Sequence, residues 1–383
     1  VLRQVTATFV YGLTATPIRK DGHQPIIFMQ CGKIRFTSDA KSQMENQGFK
    51  RLLIPRFTSF RSITSDRKTY VQITQELSED KVRNEFVMED IKAAIQKGRT
   101  PLVLTTRTAH VKVLAQMLMP FADHVIQLIG ADSAKEKRLA LQNLQSIPTS
   151  ESLVIVATGK YVGEGFDYPR LDTLFLTMPI AWKGNVEQYA GRLHREYEGK
   201  CEVYIYDYVD IRVPLCDSMY RKRLKGYIKA GYGKNVTSPA PDKNSQELIY
   251  EQNNYEAAFR NDLAKAKHSV VIAVPKVKFK YKPSIMSALA NLLHDGVSVV
   301  VHVKEEGANE TELSNAGMDV VCNKEQTLQC AIIDKSIVWY GNINFFGYNS
   351  ETNNVMRIAD YKIANEMMEI LYSATENKAN ETR

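Results

Sequence analysis

Cysteine is scarce and unpaired in this chain of 383 residues: there are five, Cys31, Cys201, Cys216, Cys322 and Cys330, with no C-x-x-C pair among them. Zinc sites and redox motifs need closely spaced thiolates and a disulfide framework needs an even set, so neither is indicated. Long apolar runs are missing too. Nothing approaches the roughly 20 residues that span a bilayer, and the first residues lack the basic and apolar regions of a signal peptide. A soluble protein of the reducing cytoplasm is the expectation. Also absent are a G-x-x-x-x-G-K-[ST] phosphate loop and a D-E-x-[DH] acidic box, with which many motors hold nucleotide phosphates and Mg. Independent ATP turnover is therefore not expected.

What remains is ordinary in bulk. At 44% hydrophobic, a chain of this length can bury two or three cores, so several domains are expected. A formal charge of +7 and a pI near 8.9 give a modest attraction for polyanions, because Lys and Arg displace counterions from phosphates. With 24% charged residues, a solvated surface accounts for the same composition equally well.

Apolar patterning organises the chain. Ile26 to Cys31 (IIFMQC) reads as a strand or buried edge, and a polar stretch from Ser38 to Gly48 follows it. Asp80 to Ala94 places Val82, Phe86, Met88, Ile91 and Ile95 at mostly helical spacing. A strand and helix rhythm then sets in. Strands are predicted at Pro101 to Thr105, Val125 to Ile129, Leu153 to Ala157, Thr173 to Thr177 and Val203 to Tyr208, with helices at Ala109 to Leu118 and Lys135 to Leu144. Such alternation implies a parallel sheet covered on both faces, in which ligands gather at the carboxyl ends of the strands. Gly231 to Ser245 is rich in Gly, Pro, Ser and Asn and reads as a linker. Beyond it, helices at Tyr250 to Ala266 and Pro283 to His294, strands at Ser269 to Val274 and Val297 to Val303, and a strand pair around Ala331 to Tyr340 predict a smaller α/β unit.

Four blocks carry chemistry. They are Gly12 to Gly22 (GLTATPIRKDG), Leu104 to His110 (LTTRTAH), Ala157 to Pro169 (ATGKYVGEGFDYP) and Gln188 to Glu196 (QYAGRLHRE). Hydrolysis of a nucleoside triphosphate needs positive charge against the γ-phosphate, and a guanidinium supplies it through permanently charged, planar donors. Arg192 and Arg195 stand three apart, which on a helix leaves them on neighbouring surface. Thr105, Thr106 and Arg107 could meet a phosphate or could cap the helix beginning near Ala109.

Together the blocks resemble motifs III, IV, V and VI of superfamily two helicases, over roughly residues 5 to 230. The resemblance implies that Arg192 and Arg195 are arginine fingers, that Gln188 keeps the site in register, and that Asp167, with Gly165, contacts the nucleotide. It implies that Thr158 and Gly159, with Thr105 and Arg107, touch the nucleic-acid strand, and that Thr14 and Thr16 couple it to hydrolysis. ATP and Mg would be held largely by a first lobe, whose phosphate loop and acidic box lie upstream of motif III in the family, so the chain reads as the back half of a motor. Arg19 to Gly22 resemble the continuation found in XPB-like and restriction-type DNA helicases, which favours DNA, with RNA as the alternative.

The C-terminal region carries Ile333-Asp334 and Gly341-Asn342-Ile343-Asn344 (GNIN) before two phenylalanines. This resembles the phospholipase-D-like fold, whose H-x-K-x-x-x-x-D motif precedes G-[SG]-x-N. Counting back from Asp334, Gln329 stands where the lysine belongs and Thr327 where the histidine belongs. The fold's chemistry needs an imidazole to attack phosphorus and a cation on the phosphate oxygens. The resemblance therefore implies an inactive, nuclease-like domain kept for DNA binding, partner contact or a homodimer, with Asp334, Gly341 and Asn344 as turn and hydrogen-bonding residues.

The fold expected is α/β: a RecA-like parallel-sheet helicase lobe, the second of the motor, followed by a phospholipase-D-like α/β domain. Its divisions are the end of a first lobe at 1–40, the second lobe at 45–230, a linker at 231–245 and the degenerate domain at 246–376. The leading expectation is the C-terminal portion of an ATP-dependent DNA helicase or translocase of repair, restriction or defence. A non-enzymatic nucleic-acid scaffold is the second reading and a phosphodiesterase the third.

Overall fold

A computed structural model describes residues 32–36, 50–62, 68–130, 134–163, 166–180, 183–232, 248–278, 282–304, 307–324, 326–350 and 353–381, with Pro25, Phe28 and Met29. The strands of the first unit are β1 (Lys50–Phe57), β2 (Pro101–Thr105), β3 (His124–Leu128), β4 (Leu153–Thr158), β5 (Thr173–Leu176) and β6 (Glu202–Val209). They form one wholly parallel sheet in the order β1-β6-β5-β2-β4-β3. Every residue of β2, β4 and β5 is buried, which is why these strands read as unbroken apolar runs. The connecting helices are α1 (Tyr70–Glu79), α2 (Lys81–Gln96), α3 (Thr108–Leu118), α4 (Ala134–Ser146), α5 (Gly159–Gly163), α6 (Lys183–Leu193) and α7 (Pro214–Lys229). Capping sets two of their starts: Thr69 and Gln72 close a capping box on α1, and Asp80 accepts the Arg83 N–H on α2 at 2.7 Å.

Two expectations need correction. Val82 is 68% exposed, because α2 turns Arg83 and Asp90 inward instead. Arg83 pairs with Asp210 through Nε at 2.7 Å and Nη2 at 3.0 Å, while Asp90 pairs with Arg56 at 3.2 Å and accepts from the Tyr208 hydroxyl at 2.9 Å. In the IIFMQC run, the described Phe28 and Met29 are helical, and Met29 is 83% exposed, so neither forms a buried strand.

The described residues of the second unit form seven strands: β7 (Ile249–Glu251), β8 (Ser269–Ala273), β9 (Ser298–Val303), β10 (Asp319–Cys322), β11 (Cys330–Ile333), β12 (Ile337–Gly341) and β13 (Asn354–Ala359). Their order is β10-β9-β8-β11-β12-β13-β7, parallel from β10 to β8 and antiparallel thereafter. Its helices are α8 (Tyr255–Leu263), α9 (Pro283–His294), α10 (Ala308–Asn315) and α11 (Tyr361–Glu381). The helix expected from Tyr250 starts at Tyr255, because Ile249–Glu251 is taken up as an edge strand on β13. Of the expected linker, only Gly231 and Tyr232 are described.

The two sheets share apolar packing. One buried cluster contains Leu53, Phe57, Tyr220 and Leu224 of the first unit and Val338, Tyr340, Met356 and Ile358 of the second, with Ile363 and Met367 of α11. Helix α11 also returns to the first unit. Glu366 lies 3.1 Å from Arg56, and Arg212 Nη2 donates to the Ile370 carbonyl at 2.7 Å.

Candidate nucleotide and nucleic-acid site

Strands β2 and β4 are neighbours, and their last residues, Thr105 and Thr158, are register partners. The LTTRTAH and ATGKYVGEGFDYP blocks therefore leave the sheet side by side at its carboxyl edge, where parallel α/β sheets bind ligands. Thr14, Thr16 and Gly165 lie outside the described residues.

Thr105 and Thr158, expected to touch the nucleic-acid strand, have their hydroxyls engaged within the protein. Thr105 is 2% exposed and Thr158 is 8% exposed. Asn84 Nδ2 donates to the Ser78 carbonyl at 3.0 Å, leaving its Oδ1 to accept from His110 Nε2 at 3.0 Å. His110 Nδ1 then accepts the Thr105 hydroxyl proton at 2.9 Å, and Thr105 Oγ1 accepts the Arg107 N–H at 3.4 Å. Burial, with Arg83 and Arg107 adding to it, pushes His110 down to about 3, so the ring stays neutral. Thr158 Oγ1 accepts the Gly130 N–H at 2.9 Å. These hydroxyls shape the strand ends from inside. The groups left towards the surface are exposed Thr106, half-buried Gly159 and half-buried Arg107, whose Nη1 donates to the Val71 carbonyl at 3.3 Å. Arg107 is the N-cap residue of α3 and makes no side-chain cap.

Gly159 opens α5 with no room for a side chain. A Cβ there would lie 2.4 Å from the hydroxyl oxygen of Tyr189 on α6. Tyr189 is buried, so the ATGKYVGEGFDYP and QYAGRLHRE blocks pack directly on one another near their starts. Gln188, its neighbour, is exposed on α6.

The two arginines meet differently from the helical expectation. Helix α6 ends at Leu193, and Arg195 sits beyond it in a non-helical bend. Arg195 Nε nonetheless donates to Asp167 Oδ1 at 3.1 Å, with both side chains about half exposed, 54% and 46%. Arg192 stands in the last turn of α6, half-buried, and its buried Nε has no hydrogen-bond partner among the described residues. Burial holds Arg192 below its usual range, with Asp167 opposing the shift and Arg195 adding to it. Both guanidinium groups are thus within the electrostatic reach of one carboxylate. The exposed pair itself contributes little stability, roughly 0–1 kcal/mol.

Lys200 caps the end of the helix. Its Nζ donates to the carbonyls of Leu193 at 3.1 Å, Arg195 at 2.8 Å and Pro169 at 2.5 Å. A turn closed by the Lys200 N–H on the Tyr197 carbonyl at 3.1 Å carries it there, with Gly199 in the left-handed region at φ +77. Spacing gave no signal of this lysine. A second missed network had one: Asp207, a charge inside an aromatic strand, accepts from Arg223 Nε at 2.9 Å, Arg223 Nη2 at 2.8 Å and the Tyr227 hydroxyl at 2.6 Å. Arg223 Nη1 reaches on to the Ile180 carbonyl at 2.7 Å, fixing the chain just ahead of α6.

In the second unit, Asp334 lies in the β11–β12 turn at φ +49. Its carboxylate accepts the N–H groups of Lys267 and His268 at 2.8 Å and of Ser269 at 2.9 Å. Burial would raise its carboxyl, but those three N–H groups outweigh it and hold the group below the usual range. Thr327 and Gln329 lie at the opposite end of this hairpin. Thr327 is exposed, and Gln329 is half-buried with its Oε1 unpartnered among the described residues. Asn344 beyond β12 is committed locally: its Nδ2 donates to the Lys276 carbonyl at 3.0 Å and its Oδ1 accepts the Phe346 N–H at 2.9 Å.

No group of three or more His, Cys, Asp or Glu among the described residues could hold a metal ion, and no described helix is long and apolar enough to cross a membrane. No protein-family model matches the chain. It is 25% identical over 197 residues to transcript termination protein A18 of vaccinia virus, strain Ankara, covering 51% of this chain and 36% of that protein. Among solved structures it is similar to T4 UvsW, with a TM-score of 0.37, 15% identity, and coverage of 48% of this chain and 39% of that one. It is also similar to Nuc, a phospholipase D family member from Salmonella typhimurium, with a TM-score of 0.30, 21% identity, and coverage of 33% and 91%. The chain spans about a third of the length of the curated relatives it matches.

Proposed function

We propose that this protein acts on nucleic acid as part of an ATP-driven, helicase-like motor, its parallel-sheet unit supplying arginines to a nucleotide gripped from the other side by another lobe. The observation that carries the reading is the convergence of Arg192 and Arg195 on Asp167, brought together from the segment after β4 and the end of α6. The donor set suits a nucleoside triphosphate: two permanent cations, one with an unpartnered buried N–H, beside a carboxylate able to accept from a ribose hydroxyl. ATP brings the phosphoryl group and Mg would neutralise its oxygens. Arg192 and Arg195 would face the phosphates, and Asp167 would exchange Arg195 for the sugar. Nucleic acid, with DNA favoured, would lie across the carboxyl ends of β2 and β4 on Thr106, Arg107 and Gly159. The viral transcript termination protein similar to this chain agrees with work on nucleic acid.

The second unit fits binding and not cleavage, since exposed Thr327 has no imidazole and Gln329 has no charge. The test is ATP hydrolysis with a phosphate-loop lobe supplied in trans, with and without DNA. Arg192→Ala and Arg195→Ala are each expected to lower kcat by about 10³-fold, the usual worth of an arginine finger. Unchanged turnover in both variants sinks the reading.

A further inference from the structure

The end of α6 leaves carbonyl groups that the helix itself cannot satisfy. Three carbonyls from two separated pieces of backbone meet there: that of Leu193 in the last turn of α6, that of Arg195 just beyond it, and that of Pro169 in the segment after β4. A single ammonium group accepts the task of joining them, and it has three N–H donors for three carbonyls.

We propose that Lys200 is a positioning residue that sets the Arg195 guanidinium against Asp167, by tying the backbone of the segment carrying Asp167 to the backbone that carries Arg195. Asp167 stands two residues before Pro169, and Arg195 is itself one of the bonded residues. Arg195 lies beyond the end of α6 at Leu193, so the helix does not fix its direction. The pair is about half exposed, so its own attraction is too weak to order two loops. Its geometry must come from the backbone beneath it.

Protonation bears on this tie. Burial holds Lys200 down to about 8, with Asp172 opposing the shift. The other charged and titratable groups facing it are few. Asp172, ahead of β5, also feels Arg99, and His194 on the same segment is pushed down to about 3 by burial, Arg51 and Lys200, so it stays neutral. A neutral amine keeps two N–H groups for three carbonyls. One strut of the tie is therefore lost as pH rises past about 8. Arginine at this position keeps its charge throughout the accessible range and offers more donors.

The inference rests on the nucleotide reading only for its consequence; the contact itself is testable in the free, full chain. The measurement is the rotation rate of the Arg195 guanidinium about its Nε–Cζ bond, by carbon-detected exchange NMR, with Asp167→Ala giving the rate of the unpaired side chain. Lys200→Met is expected to reach that unpaired rate, while Lys200→Arg keeps the slower one. In the wild type the rate should climb towards the unpaired value as pH passes about 8, and the arginine variant should stay flat. Methyl spectra and melting of each variant report the fold separately. A paired rate retained in Lys200→Met, or an equal rise with pH in Lys200→Arg, overturns the proposal. A failure of the nucleotide reading would appear elsewhere, as turnover indifferent to Arg195→Ala, and leaves the rotation result standing. In the assembled motor, Lys200→Met should lower kcat as Arg195→Ala does, and Lys200→Arg should restore it.

Discussion

Tyr340, one residue before β12 ends, donates its hydroxyl proton to the Asp217 carboxylate on α7, so a hydrogen bond joins the two units. Phe57 of β1 meets the Tyr340 ring edge-on at 5.0 Å, inside the apolar cluster that both units share. Burial pushes the Asp217 carboxyl above its usual range, with Arg221 and Tyr340 opposing the shift. Tyr340→Phe keeps the ring and removes the donor. It should cost about 1–3 kcal/mol, the penalty for an under-satisfied buried acceptor. Hydrogen exchange in denaturant should show both sheets opening together in the wild type. Two separated openings would mean that the shared cluster does not couple them.

Asp262 on α8 holds a buried charge network in the second unit. It accepts from Arg357 Nε at 2.6 Å, Arg357 Nη2 at 2.9 Å and Trp339 Nε1 at 2.8 Å. Asp262→Ala strands the Arg357 guanidinium in the interior, with an expected loss of about 3–5 kcal/mol. Urea unfolding should show this as a lower midpoint. The double change Asp262→Ala with Arg357→Met should recover part of the loss, since removing both charges ends the mismatch.

That network also shows where sequence reading stops. Strands β2, β4 and β5 were legible within a residue or so because a strand buried on both faces must be apolar along its length. Strand β13 (NVMRIA) was not seen, because Arg357 breaks its pattern and the residue that neutralises it is 95 positions away. Edge strand β7 has only three residues, too few to show alternation, and was read into the following helix. At the site, spacing put Arg192 and Arg195 on neighbouring surface, while Asp167 entered only through the family resemblance and its contact with Arg195 was not foreseen. The end of α6 at Leu193 was hidden, and so was the lysine that caps it, whose role is fixed by three carbonyls and by no pattern of side chains.

Gly341, the first residue of the GNIN block, has a steric reason to be glycine. A Cβ there would stand 2.3 Å from the Asn354 carbonyl oxygen and 2.7 Å from the Val355 Cα, both backbone atoms of the neighbouring strand. Neither can yield without opening the β12–β13 pairing. Gly341→Ala should therefore cost about 3 kcal/mol or more, the upper range for forced overpacking. Circular dichroism and urea unfolding would register it, and a variant as stable as the wild type would show that the two strands are not so closely apposed.

Glu366 gives the seam between α11 and the first unit a pH dependence of definite sign. Burial raises its carboxyl from an ordinary 4.5 to about 7, against the opposing charges of Arg56 and Lys362 and with Asp90 reinforcing the rise. Below 4.5 the group is protonated in both the folded and the unfolded chain, so its contribution is fully present and does not vary with pH. Between 4.5 and about 7 the folded chain keeps a proton that the unfolded chain has lost, so stability from this group falls as pH rises through that window. Glu366→Gln fixes the side chain in a neutral, isosteric form and removes its share of the fall. Urea midpoints measured from pH 4.5 to 7.5 should decline less steeply in the variant than in the wild type. Asp90 is raised by burial as well and contributes a slope of the same sign, so the variant's curve should flatten without becoming level. Identical slopes in the two proteins would mean that Glu366 is already ionised at the bottom of the window, held so by Arg56 at 3.1 Å.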